Sequence, residues 1–210
     1  MQLLAAVDDV RAVFWSDAER HREWRPRMRE AWARIATDAL TRLDVDDPEL
    51  GAFVGDRHFD LRDAAITPLP GAVDALDQLR SLGVTLGLIT NGGSAGQRAK
   101  IERFALAAHF AYIGIEGEAG FGKPHRGAYE SALASLQVEA RDCWMVGDNL
   151  EWDVAGAQAV GIRGIWLDCA GSGLPPASAV KPDEIICAIS ELLPSAGLTT
   201  RVRREGGYRG

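Results

Sequence analysis

The run V-T-L-G-L-I-T-N-G-G, residues 84–93, decides how this chain folds. Its first seven residues form a short and mostly apolar run, as expected of a strand that is buried on both faces of a parallel sheet. The T-N-G-G that follows is typical of a turn into a helix at the end of such a strand. Backbone N–H groups and a hydroxyl at such a turn can surround an anion. The run therefore predicts a buried strand that leads into an anion-binding loop at Thr90, Asn91 and Gly92.

Similar apolar runs recur along the chain and alternate with helical patterns. Further strands are predicted at residues 111–115, 143–146 and 162–167, and helices at residues 72–82, 95–107, 127–136 and 153–160. Strands that alternate with helices pair in parallel through right-handed crossovers. The chain is therefore predicted to be an α/β protein, a three-layer Rossmann-like parallel sheet sandwich, with its functional groups at the carboxyl ends of the strands.

The first third of the chain has a helical pattern instead. Apolar residues recur at steps of three and four from Trp24 to Leu43, which predicts one amphipathic helix with Pro26 in its first turn. A second helix is predicted over residues 49–63. We expect residues 1–66 to form a small helical cap domain, residues 67–194 the α/β core, and residues 195–210 a disordered tail.

Composition excludes several classes of protein. A formal net charge of −7 argues against binding to nucleic acid or to acidic membranes, since both require a basic surface. No window approaches 18 apolar residues, so a membrane-spanning helix is not expected. The three cysteines lack the paired spacing of a zinc site or a disulfide framework. We expect a cytoplasmic protein, and the sequence does not distinguish a monomer from a homodimer.

A second polar cluster is G-K-P-H, residues 122–125, with Lys123 between a glycine and a proline. Lysine is scarce, because only Lys100, Lys123 and Lys181 occur among 23 basic residues. A lysine ammonium can neutralise a phosphate oxygen. The alternative is an ordinary solvated lysine at the surface.

The third cluster is M-V-G-D-N-L-E-W-D, residues 145–153, in which an apolar strand ends at Asp148 and a second carboxylate follows at Asp153. Two carboxylates at a strand end offer the hard oxygen ligands that Mg²⁺ takes. The alternative is that Asp148 caps the helix that follows.

The order T-N-G, K-P and G-D-x-x-x-x-D, each at its own strand end, resembles the second, third and fourth motifs of the haloacid dehalogenase (HAD) superfamily of hydrolases, in its phosphatase-like branch with a helical cap. The resemblance implies a Mg²⁺-dependent phosphatase of small phosphomonoesters, such as nucleotide or sugar phosphates, that works through an aspartyl-phosphate. It implies catalytic and phosphate-binding roles for Thr90 and Lys123. Asn91 and Gly92 would complete the phosphate site, and Asp148 and Asp153 would hold the metal.

The family's first motif, D-x-D-x-T/V, which supplies the nucleophilic aspartate, is not found. Residues 44–46, D-V-D, read as a turn between two cap helices. Residues 17–19, D-A-E, are a conceivable degenerate motif after V-R-A-V-F-W-S, which could pass for a strand. We expect instead that the chain begins inside the cap and that the natural protein starts upstream of Met1.

Without a first strand, the strands that carry the second and fourth motifs would face a gap with unpaired backbone groups, unless Val10 to Trp15 fills that position. Two other functions stay open. One is a dehalogenase that attacks carbon without a metal, and the other is a catalytically inactive binding protein that retains an anion site at Thr90 and Lys123.

Overall fold

A computed structural model describes residues 2–193, so the predicted tail at residues 195–210 lies outside the described part of the chain. The first third is helical, as predicted, and consists of α1 (Gln2–Ser16), α2 (Ala18–Trp24), a 3₁₀ turn (Arg25–Arg27), α3 (Met28–Thr41) and α4 (Pro48–Ala65). The division into a cap at residues 1–66 and a core at residues 67–194 stays a prediction.

One expectation about this helical part is wrong, and one alternative is excluded. A single helix from Trp24 to Leu43 is not formed, because the chain leaves the helical region of backbone space at Arg27 (φ −117°, ψ 48°) and Pro26 lies in the 3₁₀ turn. Residues 10–15 form no strand and do not fill the centre of the sheet, since they belong to α1. Val10 and Phe14 are one helical turn apart and are buried against α3.

The remainder alternates strands with helices. The strands are β1 (Gly87–Thr90), β2 (Tyr112–Ile115), β3 (Trp144–Gly147), β4 (Arg163–Leu167) and β5 (Glu184–Ile186), of which β5 is not anticipated by the sequence pattern. The helices are α5 (Ala72–Ser81), α6 (Ser94–Arg103), α7 (Glu116–Ala119), α8 (Arg126–Leu136) and α9 (Gly156–Gln158), with a π-helical segment at Leu150–Ala155 before α9. Three further 3₁₀ turns lie at Leu106–His109, Ala140–Asp142 and Ile189–Leu192.

All the strand pairs are parallel, but the sheet is in two parts. β1 pairs with β2, and β3, β4 and β5 form a second sheet in that order. Ile89 of β1 and Met145 of β3 pack on the same cluster around the buried Tyr129, so the two parts share a core. Among residues 2–193, β1 and β3 each have one strand neighbour, so each of them is an edge strand of its sheet.

Burial follows the same division. Four of the five residues of β4 are buried, whereas β1 contains no buried residue and β3 only half-buried ones. The expectation that residues 84–90 form a strand buried on both faces is therefore wrong, because no other strand of residues 2–193 pairs with the second edge of β1. In residues 2–193 no helix combines the length and the apolar character needed to cross a membrane.

Candidate active site

The T-N-G-G loop and Lys123 are joined through the side-chain amide of Asn91. Asn91 Nδ2 donates to the backbone carbonyl of Lys123 at 2.7 Å, and Asn91 Oδ1 accepts from the Lys123 backbone N–H, also at 2.7 Å. Gly122 permits this approach, because a Cβ there would lie 2.5 Å from Asn91 Oδ1. The first two predicted clusters therefore lie side by side at the end of β1.

The Lys123 ammonium contacts the third cluster. Its Nζ lies 2.6 Å from Oδ1 of Asp153, and the two side chains are 13% and 5% exposed. The other carboxylate oxygen of Asp153 accepts from the backbone N–H of Asn149 at 2.9 Å. A buried ion pair needs such additional hydrogen bonds, because taking both charges out of water is costly. Asp153 therefore fixes the Lys123 ammonium and the loop after β3 together.

Asp148 has a different environment. Its side chain is exposed and makes no hydrogen bond or ion pair with any residue in the described range 2–193, while its backbone carbonyl accepts from Trp166 Nε1 at 2.9 Å. The capping role considered for Asp148 belongs to Asn149, whose Oδ1 accepts from the N–H groups of Glu151 and Trp152. The carboxylate of Asp148, unlike that of Asp153, is available to a ligand.

The backbone N–H of Gly92, a predicted phosphate donor, is already used within the protein. It donates to Oε2 of Glu116 at 2.8 Å. Glu116 directly follows β2, so a further carboxylate lies among the strand ends, and the sequence reasoning missed it. The signal was present, because Glu116 ends a short apolar run just as Asp148 does. The Thr90 hydroxyl, in turn, donates to Gln97 Oε1 at 3.2 Å.

Arg25, which belongs to the helical part of the chain, forms an ion pair with Glu116. Arg25 Nε donates to Glu116 Oε2 at 2.6 Å and Nη2 donates to Oε1, and the two side chains are only 8% and 12% exposed. A bidentate pair of this kind fixes orientation as well as charge. Gly93 allows the same close approach, because a Cβ there would lie 2.6 Å from the carbonyl oxygen of Pro26. The 3₁₀ turn between α2 and α3 therefore packs directly on the T-N-G-G loop.

Trp152 extends this junction to the third cluster. The Arg25 guanidinium carbon lies 5.3 Å from the Trp152 ring centroid, and the His21 ring lies 4.9 Å from it. The fully buried Tyr129 donates its hydroxyl to the Trp152 carbonyl. Burial, with a smaller contribution from the Asp153 carboxylate, raises the pKa of Tyr129, so that the hydroxyl remains a donor. Trp152 thus links the helical part to the loop that contains Asp153.

His21 should make stability depend on pH. Burial and then the Arg25 guanidinium lower the pKa of His21 below its ordinary value of 6.5. Between the folded-state pKa of His21 and pH 6.5, the folded protein therefore binds fewer protons than the unfolded chain. The contribution of His21 to stability is complete above pH 6.5 and is lost as the pH falls toward the folded-state pKa. We expect the urea midpoint to fall between about pH 7 and about pH 5.5, and to fall less in His21→Gln. Equal falls in both proteins would contradict this assignment.

Comparison with known proteins shows which family this chain resembles. Residues 61–161 match the haloacid dehalogenase-like hydrolase family. The chain is 35% identical over 143 residues to a phosphoserine phosphatase of Thermus thermophilus, and the aligned region covers 66% of this chain and 57% of that protein. It is 38% identical over 104 residues to a glyceraldehyde 3-phosphate phosphatase of Pyrococcus abyssi, covering 50% of this chain and 44% of that protein. The chain thus spans about half the length of these relatives.

Solved structures share the fold. A magnesium-bound HAD hydrolase of Bacillus subtilis matches with a TM-score of 0.74 and 20% identity over 93% of this chain and 83% of that one. A 2-haloacid dehalogenase of Pseudomonas syringae matches with a TM-score of 0.58 and 24% identity, over 91% of this chain and 79% of that one. At these identities the likeness concerns the fold, and it confirms the predicted α/β architecture. Residues 61–161 are thus similar in sequence to the haloacid dehalogenase-like hydrolases, and the chain shares the fold of solved members of that group.

Proposed function

We propose that this protein acts on the phosphate group of small phosphomonoesters, as a Mg²⁺-dependent phosphatase. The observation that carries the proposal is the convergence of Thr90, Lys123 and the Asp148 loop, through the Asn91 amide and the Lys123–Asp153 ion pair. The relatives named above, a phosphoserine phosphatase and a glyceraldehyde 3-phosphate phosphatase, support the same class of substrate. A small phosphorylated metabolite is therefore the proposed partner.

In this proposal the phosphate is held chiefly by Thr90 and Lys123. The Thr90 hydroxyl lies at the end of β1, and the Lys123 ammonium has two protons beyond the one directed at Asp153. Asn91 acts on the phosphate site through its side chain, which positions Lys123. Gly92 contributes a backbone N–H only if Glu116 releases it. Thr90 and Lys123 are accordingly the proposed catalytic residues.

The proposed metal ligand is Asp148, with Asp153 in support. The described residues contain no group of three or more acidic, histidine or cysteine side chains that could hold a metal. Mg²⁺ commonly keeps several waters and takes one or two carboxylates, so the exposed Asp148 carboxylate suits it. Asp153 has both oxygens engaged and would keep the loop of Asp148 in place. When bound, Mg²⁺ would offset the negative charge of the phosphate oxygens.

The reaction also needs a nucleophilic carboxylate. Asp17 and Glu19 do not form a strand-end motif, since Asp17 caps α2 by accepting from the Arg20 N–H at 2.7 Å and Glu19 lies in that helix. We propose that the nucleophile acts at the carboxyl ends of β1 and β3, beside Thr90 and Asp148. There its carboxylate oxygen would bond to phosphorus as the alcohol leaves with a proton. Water would then hydrolyse the aspartyl-phosphate to inorganic phosphate and restore the carboxylate.

The test is phosphate release from p-nitrophenyl phosphate, with Mg²⁺ or with EDTA, by the present chain and by a version extended upstream. We expect release that depends on Mg²⁺ and that is lost in Asp148→Asn. Release by the present chain that is lost in Asp17→Asn would overturn the proposed position of the nucleophile. Chloride release from 2-chloropropionate without a metal would favour a dehalogenase. Phosphate binding with no turnover in either protein would favour a binding protein.

A further inference from the structure

A cleft of about 410 Å³ lies between the helical part of the chain and α6. Its helical wall includes Trp32, Phe59 and Arg62, and the opposite wall includes Gln97 and Lys100. The volume is within the range of small-molecule sites, which combine apolar walls with a few polar groups. Lys123, Thr90 and Asp148 do not line this cleft, so the cleft is distinct from the proposed phosphate site.

The lining of the cleft carries an excess of positive charge. Five basic residues line it, against two acidic ones, Glu30 and Asp63. Arg25, Arg27 and Arg29 are each paired with carboxylates, and Asp63 is paired with Arg103. Arg62 and Lys100 form no ion pair with the residues at positions 2–193. The two walls thus each present one cation without a carboxylate partner.

The cleft is connected to the proposed phosphate site by one side chain. Gln97 lines the cleft, and its Oε1 accepts from the Thr90 hydroxyl at 3.2 Å. Gly93, beside the T-N-G-G loop, also lines the cleft and is in close contact with Pro26. A ligand whose phosphate lies at Thr90 would therefore extend past Gln97 to enter the cleft. The Arg62 guanidinium lies 5.7 Å from the Trp32 ring centroid, a position that orients it over the apolar wall.

We propose that Arg62 and Lys100 bind a second anionic group of the substrate, a carboxylate or a second phosphate. This inference rests on the proposed function and narrows it to short phosphomonoesters with a second negative group. Two cations on facing walls attract such a group more strongly than they attract a neutral alcohol, because the cleft is partly shielded from water. The apolar surfaces of Trp32 and Phe59 supply that shielding.

The experiment compares two ligands that differ only at the second group. 3-Phosphoglycerate has a phosphate and a carboxylate, whereas glycerol 3-phosphate has the same phosphate and a hydroxymethyl group in place of the carboxylate. Each ligand is titrated into the protein by calorimetry in the presence of Mg²⁺, and released phosphate is monitored to verify that the ligand stays intact. We expect 3-phosphoglycerate to bind about tenfold more tightly than glycerol 3-phosphate, which is the size of one charge-assisted contact. Arg62→Gln and Lys100→Gln should each reduce this preference several-fold, whereas Lys181→Gln, at an exposed lysine outside the cleft, should leave it unchanged.

The outcomes separate this inference from the function on which it rests. Equal affinity for the two ligands, with both lost in Lys123→Met, would overturn the second-anion site and leave the phosphate site standing. A preference that persists in the Arg62→Gln, Lys100→Gln double variant would also overturn it, because the carboxylate would then bind elsewhere. Failure of both ligands to bind the unmodified chain would contradict the phosphate site itself, and the inference with it.

Discussion

Replacing Lys123 by methionine is expected to lower the free energy of unfolding by about 3 kcal/mol and to abolish measurable phosphate binding. Methionine has a similar volume, so the loss comes from charge and not from a cavity. Asp153 is 5% exposed and would remain as a buried carboxylate without its ammonium partner. The phosphate would lose the cation that we assign to it. Urea unfolding and calorimetric titration with inorganic phosphate measure the two effects separately.

A second variant separates structure from function at this pair. In the Lys123→Met, Asp153→Asn double variant no unpaired charge remains, so we expect it to recover a large part of the lost stability. Phosphate binding should not recover, because the ammonium is still absent. The control is Lys181→Met, at an exposed lysine that forms no ion pair within residues 2–193, which should change stability by less than about 0.5 kcal/mol. A Lys123→Met variant as stable as the original protein would refute the structural role of the pair.

The positions of two of the three motifs were predictable because each follows a strand, and the carboxyl ends of parallel strands lie together. Thr90 ends β1 and Asp148 directly follows β3, but the prediction that Lys123 lies at a strand end is wrong, because α7 separates it from β2. The side-chain partners were not predictable in the same way. The path of each loop determines that Asn91 binds the Lys123 backbone and that Asp153 directs both carboxylate oxygens inward.

The junction with the helical part could not have been read from the sequence. Arg25 and Glu116 are 91 residues apart, and Arg25 is one of many arginines in its neighbourhood. Which of them is buried depends on how the helical part packs on the loop, a property of the tertiary structure. Local signals also failed at the edge of the sheet, because β1 has the composition of a buried strand but has only one strand neighbour.

Replacing Gly147 by alanine should strongly destabilise the protein although it leaves every charge in place. Gly147 ends β3, and a Cβ there would overlap the carboxylate carbon of Asp153. Asp153 has no room to retreat, because one oxygen is bonded to Lys123 and the other to the Asn149 N–H. Overpacking in a well-packed site costs about 1–3 kcal/mol, and displacement of the ion pair adds to it, so we expect a loss of about 3 kcal/mol or more.

The matched control is Gly96→Ala in α6. A Cβ at Gly96 would meet no atom within 4 Å, and the residue is helical and exposed. Alanine there should raise the free energy of unfolding by about 0.5–1 kcal/mol, because it lowers the entropy of the unfolded chain and favours the helix. Gly147→Ala should in addition weaken phosphate binding, since the Lys123 ammonium would move with Asp153. If both variants unfold at the same urea concentration, the contact of Asp153 with the Gly147 backbone is not what holds this site together.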